Sequence, residues 1–412
     1  MSVVFRLIKS WWPNAGSSTL LNLELPVISI IVTVYSYDSL SSYANALAIF
    51  MFANAFVFPV TTVIIKEGTG IITRRYVTNL IFVVFLITNA LLVVYGLKYN
   101  SSDMLLMHVF SISIVSVGVR RYLHGVVILK EATTIIFPAS IFRLIVSTCC
   151  CYLLITKGVS SAFAPIVALV LGSWVESLVL LIYVQKKRLN SASGEVSLDR
   201  KSVFQVYSSA LFIMASALMS NTLITYIINT SNYVSRNDLL EYWAIFFGVV
   251  CISTSSIFYL DNFIIRYYRN IDRPSDLAKF TGVAFLSAAL MSVIYIIILF
   301  NIISPNNIDE LSVHFYDIIA LSIFVSLFWS LRSITRAKLI LSSSTKMTIL
   351  SIAASFIVVL VFNRYMQWGN DYLVLSPVIS YLMIIVFELV FHVAFFINTH
   401  HKEKSRELIK ES

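Results

Sequence analysis

Charge is what this sequence has least of. Lys, Arg, Asp and Glu make up 12% of the 412 residues, against roughly 25% in a soluble domain. Hydrophobic residues make up 58%. No soluble fold of this length hides so much apolar surface, so lipid must be the solvent. Cysteine is scarce too. Cys149, Cys150 and Cys151 are adjacent on one segment and point to different faces, and Cys251 stands alone. That spacing excludes a metal cage and a disulfide framework. There is no P-loop, which argues against ATP hydrolysis. No HExxH and no paired His or Asp cluster suggests metal chemistry. No catalytic set and no cofactor motif rises above background, which points away from an enzyme.

What is present is a series of long apolar stretches. A bilayer core about 30 Å thick needs about 20 apolar residues per helix. Twelve spans are predicted, at 14–34, 42–65, 77–97, 104–128, 131–156, 161–185, 203–230, 239–265, 280–302, 312–331, 347–363 and 372–399, the tenth extensible to about 340. Residues 1–13 carry Arg6, Lys9, Trp11, Trp12 and Pro13. They read as an interfacial lead-in with Trp at headgroup level, not as a cleavable signal.

The cations sort by side. With the N-terminus in the cytoplasm, 25 of the 30 Lys and Arg fall in cytoplasmic segments and 4 (Lys98, Lys157, Arg236 and Arg364) in outer ones. Only Arg143 is left deep inside a span. This is a strong positive-inside bias, and it predicts both termini in the cytoplasm of a cell inner membrane. The net charge of +9 is then topology and attraction to the inner leaflet, not a nucleic-acid patch.

Six spans, a polar linker and six more spans suggest duplication. The predicted organisation is an N-terminal lobe over 1–185, a cytoplasmic linker over 186–202 and a C-terminal lobe with its tail over 203–412. At an offset of 212, Arg120 meets Arg332, Leu129 meets Leu341, Pro165 meets Pro377 and Glu176 meets Glu388. Near the start of each half the offset is about 199, pairing Asn22 with Asn221 and Tyr43 with Tyr242. Six is even, so the halves share one orientation, with a cavity between them. The predicted fold class is therefore all-α and integral to the membrane, in two pseudo-symmetric six-helix lobes.

The deep ionisable residues are Glu24, Arg143, Glu176 and Glu388. Each costs at least about 2.5–3.5 kcal/mol at a helix centre, so each must be paired, neutral or facing a cavity. Arg143 and Glu176 lie at similar depth on consecutive spans, which predicts a salt bridge serving either packing or a cavity. At the offset of 212 the Arg143 position is Ser355, so Glu388 is expected to lack a cation, as is Glu24. An unpaired carboxylate in low dielectric either hydrogen-bonds as the acid or carries a proton for coupling. Five prolines fall within spans: Pro26, Pro59, Pro138, Pro165 and Pro377. Each is read as a kink, and Pro26 and Pro138 are the candidates for bending during transport.

Two stretches resemble the progressive ankylosis transporter family of the multidrug/oligosaccharidyl-lipid/polysaccharide (MOP) exporter superfamily. One is Trp11-Trp12-Pro13 with Ala15 and Pro26. The other runs from Arg120 to Ser177 and includes Leu123, Gly125, Thr133, Pro138, Ser140, Arg143, Gly172 and Glu176. The resemblance covers about a fifth of the chain. It implies a V of two lobes that opens alternately to either side and moves anionic metabolites outward. Of the deep charges, Arg143 and Glu176 carry over. Where the family's first-span motif has arginines, this chain has Asn22 and Leu25 flanking Glu24. Oligosaccharide-lipid flippases of the Wzx type share the length and composition, and there Arg143 would hold a pyrophosphate. Multidrug extruders couple to protons or sodium through cavity acids, a role open to Glu24 and Glu388. A membrane-embedded polysaccharide enzyme is the remote alternative, and outer gaps of only about ten residues count against it.

Overall fold

The structure is a computed structural model. It describes residues 3–35, 40–99, 104–130, 132–160, 162–189, 200–230, 236–258, 260–267, 274–303, 313–341, 345–365 and 375–411. The core of the polar linker, 190–199, lies outside the described residues. Every regular element described is helical. In the first half these are α1 (Val3–Tyr35), α2 (Leu40–Ala55), α3 (Val60–Glu67), α4 (Ile71–Tyr99), α5 (Met104–Leu129), α6 (Ile136–Thr156, led in by a single 3-10 turn) and α7 (Phe163–Lys186). In the second half they are α8 (Arg200–Thr230), α9 (Arg236–Ser255), α10 (Leu260–Tyr267), α11 (Pro274–Ile303), α12 (Phe315–Leu341), α13 (Thr345–Tyr365) and α14 (Ser376–Glu411).

α2 with α3, and α9 with α10, are single passes broken once. The breaks fall at equivalent places, starting at residues 56 and 256. In the first, Pro59 cannot donate the hydrogen bond that would continue the helix. Counted as two passes, the broken helices bring the total to twelve, in the order the apolar stretches predict. Among the described residues, nine stretches are long and apolar enough to cross a membrane.

The helices differ in how much they bury. In α5, 72% of the apolar window is covered by protein, against 22% in α4. α5 is thus the central helix of the first lobe and α4 a lipid-facing one. Close approach depends on small residues, as membrane helix packing requires. Ser116 meets Ser173 at 2.6 Å, joining α5 to α7. Ser17 meets Ser140 at 2.6 Å, joining α1 to α6. Gly125 lies so near α3 that an added Cβ would sit 2.6 Å from Ile64 Cβ.

The lobes touch along two crossed pairs, α1 against α9 and α2 against α8. Contacts run along much of the length of the bundle. Asn229 donates to Asn45 at 2.9 Å and Thr222 to the Ala48 carbonyl at 2.8 Å. Toward the α3 end, the Tyr207 hydroxyl donates to the Phe56 carbonyl at 2.9 Å. Between these, Thr19 meets Ser255 at 3.2 Å and Gly248 of α9 admits Pro26 of α1.

The prolines correct the sequence reading. Pro138, Pro165 and Pro377 stand in the first turns of α6, α7 and α14. The missing N–H costs nothing there, so Pro138 is a helix start, not a kink. Pro26 is the interior case, deep in α1.

Gly125→Ala should destabilise the protein by about 1–3 kcal/mol, because its Cβ has rigid atoms to displace. Gly282→Ala, with nothing within 4 Å, should be neutral or better. Thermal unfolding of both variants in detergent checks this. Equal midpoints would refute the close α3–α5 packing.

Candidate functional site

Each lobe contains one buried carboxylate clamped by arginines, and the two clamps occupy equivalent positions. In the first lobe, Arg120 of α5 donates Nη1 to Glu176 Oε2 of α7 at 2.9 Å. In the second, Arg332 of α12 donates Nε to Glu388 Oε2 of α14 at 2.9 Å. Both pairs are 56 residues apart. One turn further along, His124 Nε2 lies 3.3 Å from Glu176 Oε1. Its counterpart at the same offset of 212, Arg336, donates Nε to Glu388 Oε1 at 2.7 Å. Both glutamates are completely buried. Ions so far from water persist only when paired in this way.

The first clamp has an extra member. Arg143 of α6 donates Nη1 to Glu176 Oε2 at 3.1 Å. Its Nε donates to Glu24 Oε2 of α1 at 2.8 Å, and Nη2 reaches the same oxygen. One guanidinium thus joins α1, α6 and α7. Ser140 adds a bond to Glu176 Oε1 at 3.3 Å. Glu24 Oε1 has no hydrogen-bond partner among the described residues. In the second lobe the Arg143 position is Ser355, whose hydroxyl returns to its own helix at the Ile352 carbonyl, 2.8 Å away.

Glu388 is therefore not unpaired, contrary to the sequence expectation. It was judged against Ser355 alone, while its cations come from α12. Glu24 does not lack a cation either, because Arg143 serves both acids. Nor is Arg143 the only deep arginine. Arg120, Arg121, Arg332 and Arg336 are buried in α5 and α12, the first three two or more turns short of the helix ends. They had been counted with the cytoplasmic segments. The 56-residue spacing shared by Arg120–Glu176 and Arg332–Glu388 was the available signal. Asp261 of α10, buried as well, acts electrostatically on Arg336.

A cavity lies between the lobes. Its first-lobe wall carries Ser18, Asn22, Glu24, Arg120, Arg121 and Arg143 beside apolar residues that include Phe50, Met51 and Phe58. Its second-lobe wall carries Phe247, Val250, Cys251, Thr254, Phe258 and Tyr381, with no charge among the described residues. Glu176 and Glu388 do not line it. Phe58 and Phe258, one from each helix break, meet edge to face there with centroids 6.0 Å apart. Each ring is backed by its own lobe. The Arg121 guanidinium stacks 3.6 Å from the Phe58 centroid. Phe258 stacks on Trp329, over which Arg332 sits at 4.6 Å.

The architecture is that of the MATE transporters of the MOP superfamily. The eukaryotic MATE transporter AtDTX14 superposes with a TM-score of 0.63 at 14% identity, covering 98% of this chain and 99% of its own. An outward-facing multidrug resistance MATE transporter of the MOP superfamily gives 0.58 at 12% identity, covering 96% of each chain. A MOP superfamily transporter from Pyrococcus furiosus, described as having a binding pocket of reverse polarity, gives 0.55 at 11% identity, covering 92% and 95%. At these identities the likeness establishes the fold. No protein-family model and no curated protein matches the sequence.

Removing one member of a buried clamp leaves the others uncompensated, at about 3–5 kcal/mol. Glu388→Ala should therefore lose that much stability and most of its folded yield. Asp317→Asn, at a half-exposed ion pair with His314, should change stability by less than about 1 kcal/mol. Size-exclusion profiles and unfolding midpoints decide. A Glu388→Ala protein as stable as the parent would refute the clamp.

Proposed function

We propose that this chain is an alternating-access exporter of the MOP type and that its cargo is anionic. One observation carries the reading: three arginines, Arg120, Arg121 and Arg143, line the cavity beside a single carboxylate, Glu24. Counting Glu176, which shares Arg120 and Arg143, the cluster keeps one net positive charge. A site that excludes water magnifies that excess. Among the described residues, the C-terminal lobe lines the cavity with no competing charge.

Arg143 is the principal anion contact in this reading. Its guanidinium is already divided between two carboxylates, so an incoming anion competes with Glu24 for it. Glu24 is the coupling residue, for a proton or sodium, because it is buried, lines the cavity and keeps one oxygen unengaged. Asn22, one turn below Pro26, supplies a neutral hydrogen-bonding contact. Glu388, held by two arginines away from the cavity, belongs to lobe architecture. Access alternates when the lobes part at Phe58 and Phe258, and the equivalent helix breaks behind them supply the hinge. The cation bias supports cytoplasmic termini at an inner membrane.

Counterflow in proteoliposomes tests this. The parent should exchange organic anions and not organic cations. Arg143→Gln should lose at least about tenfold in rate, in line with removing a charge-assisted contact. In a background without the four native cysteines, cross-linking Phe58→Cys to Phe258→Cys with a short cleavable reagent should stop exchange, and cleavage should restore it. Exchange of cations alone would overturn the anion assignment. Undiminished exchange in the cross-linked protein would overturn the lobe motion.

A further inference from the structure

Among the described lining residues all the charge lies on the first-lobe wall, and that asymmetry narrows the cargo. Resting on the anion reading above, we infer that the substrate is a monoanionic amphiphile. Its acidic group faces the arginines of the first lobe, and a flat apolar portion lies against Phe247, Phe258 and Tyr381 of the second.

Charge sets the first limit. Among the described residues, the formal charges of Arg120, Arg121 and Arg143 against those of Glu24 and Glu176 leave a net excess of one. A single negative charge brings the buried site to neutrality. A polyanion overshoots it and must be buried with charge uncompensated, which low dielectric penalises heavily.

The opposite wall sets the second. Phe258 and Tyr381 both stack on Trp329, with centroids at 6.5 and 6.3 Å and interplanar angles of 19° and 4°. One indole thus fixes two lining rings. Such a surface is pre-organised, and a flat ligand loses little entropy in meeting it. Aromatic rings packed on it gain more than their buried area alone provides. A small hydrophilic anion would leave this wall facing water, with nothing gained. The arginines and this aromatic surface lie on different lobes. A ligand that spans them favours lobe closure, and one that touches a single wall does not.

Matched probes test this on the full chain in nanodiscs, with empty nanodiscs as the blank. Naphthalene-2-sulfonate carries one charge and two rings, methanesulfonate the charge without the rings, and N-methylquinolinium the rings with the opposite charge. Pyrophosphate is the polyanion. By calorimetric titration, naphthalene-2-sulfonate should bind at least about tenfold tighter than each of the other three. Phe247→Leu and Phe258→Leu, which retain apolar bulk, should weaken it about three- to tenfold and leave methanesulfonate unchanged. If methanesulfonate or pyrophosphate binds as tightly as naphthalene-2-sulfonate, the amphiphile inference fails and the anion reading stands. If N-methylquinolinium binds as tightly as naphthalene-2-sulfonate or tighter, both fail.

Discussion

A carboxylate with no access to water must have a cation beside it, and in this protein that requirement is met twice by the same geometry. Glu176 and Glu388 sit on the last helix of their lobes. Each takes its arginine from a helix 56 residues earlier in the chain. The pairing ties the centre of each lobe to its final helix and makes the lobe a unit. Two units, each internally clamped, can move against one another with little internal change. The contacts between them are of a different kind: hydroxyls, an amide pair, a glycine facing a proline and two phenylalanine rings. None of these contacts involves a charged group.

Duplication supplied the shared frame, and divergence supplied the site. His124 in one lobe corresponds to Arg336 in the other, and Arg143 corresponds to Ser355. These exchanges, together with Arg121 opposite Ser333, redistribute the cations. In the second lobe both guanidiniums turn to Glu388 and none lines the cavity. In the first, Arg143 extends across to α1 and brings the charge cluster to the cavity wall. The arginines of the first-lobe wall stand on α5 and α6, whereas the second-lobe wall is built from α9, the break that follows it and α14. The break in each second pass is the feature that stayed symmetric, and it places Phe58 opposite Phe258.

Much of this was legible in the sequence, and the failures have physical causes. Apolar length and the placement of cations were enough for twelve passes, because lipid enforces both. Arg143 stood out as a cation in an uninterrupted apolar run. Arg120 and Arg121 did not, because an arginine doublet near the end of a span looks like an interfacial anchor. Burial, which depends on α5 being the central helix, cannot be seen from the run itself. Glu388 was misjudged for a related reason: its partners were sought only at the position equivalent to Arg143. Pro138 read as a kink because helix starts inside an apolar stretch leave little trace in composition. The cavity aromatics were invisible among the chain's 29 phenylalanines and 21 tyrosines.

The central claim is that equivalent buried charges have separate duties, the first lobe's facing the cargo and the second lobe's holding the fold. Neutralising each pair as a pair keeps the net buried charge unchanged and isolates those duties. The decisive measurement is the affinity for naphthalene-2-sulfonate of Glu24→Gln/Arg143→Gln beside that of Arg332→Gln/Glu388→Gln, each taken on folded, monodisperse protein. The account predicts at least about a tenfold loss for the first and a change within about threefold for the second. Equal losses, or a loss confined to the second, would contradict it.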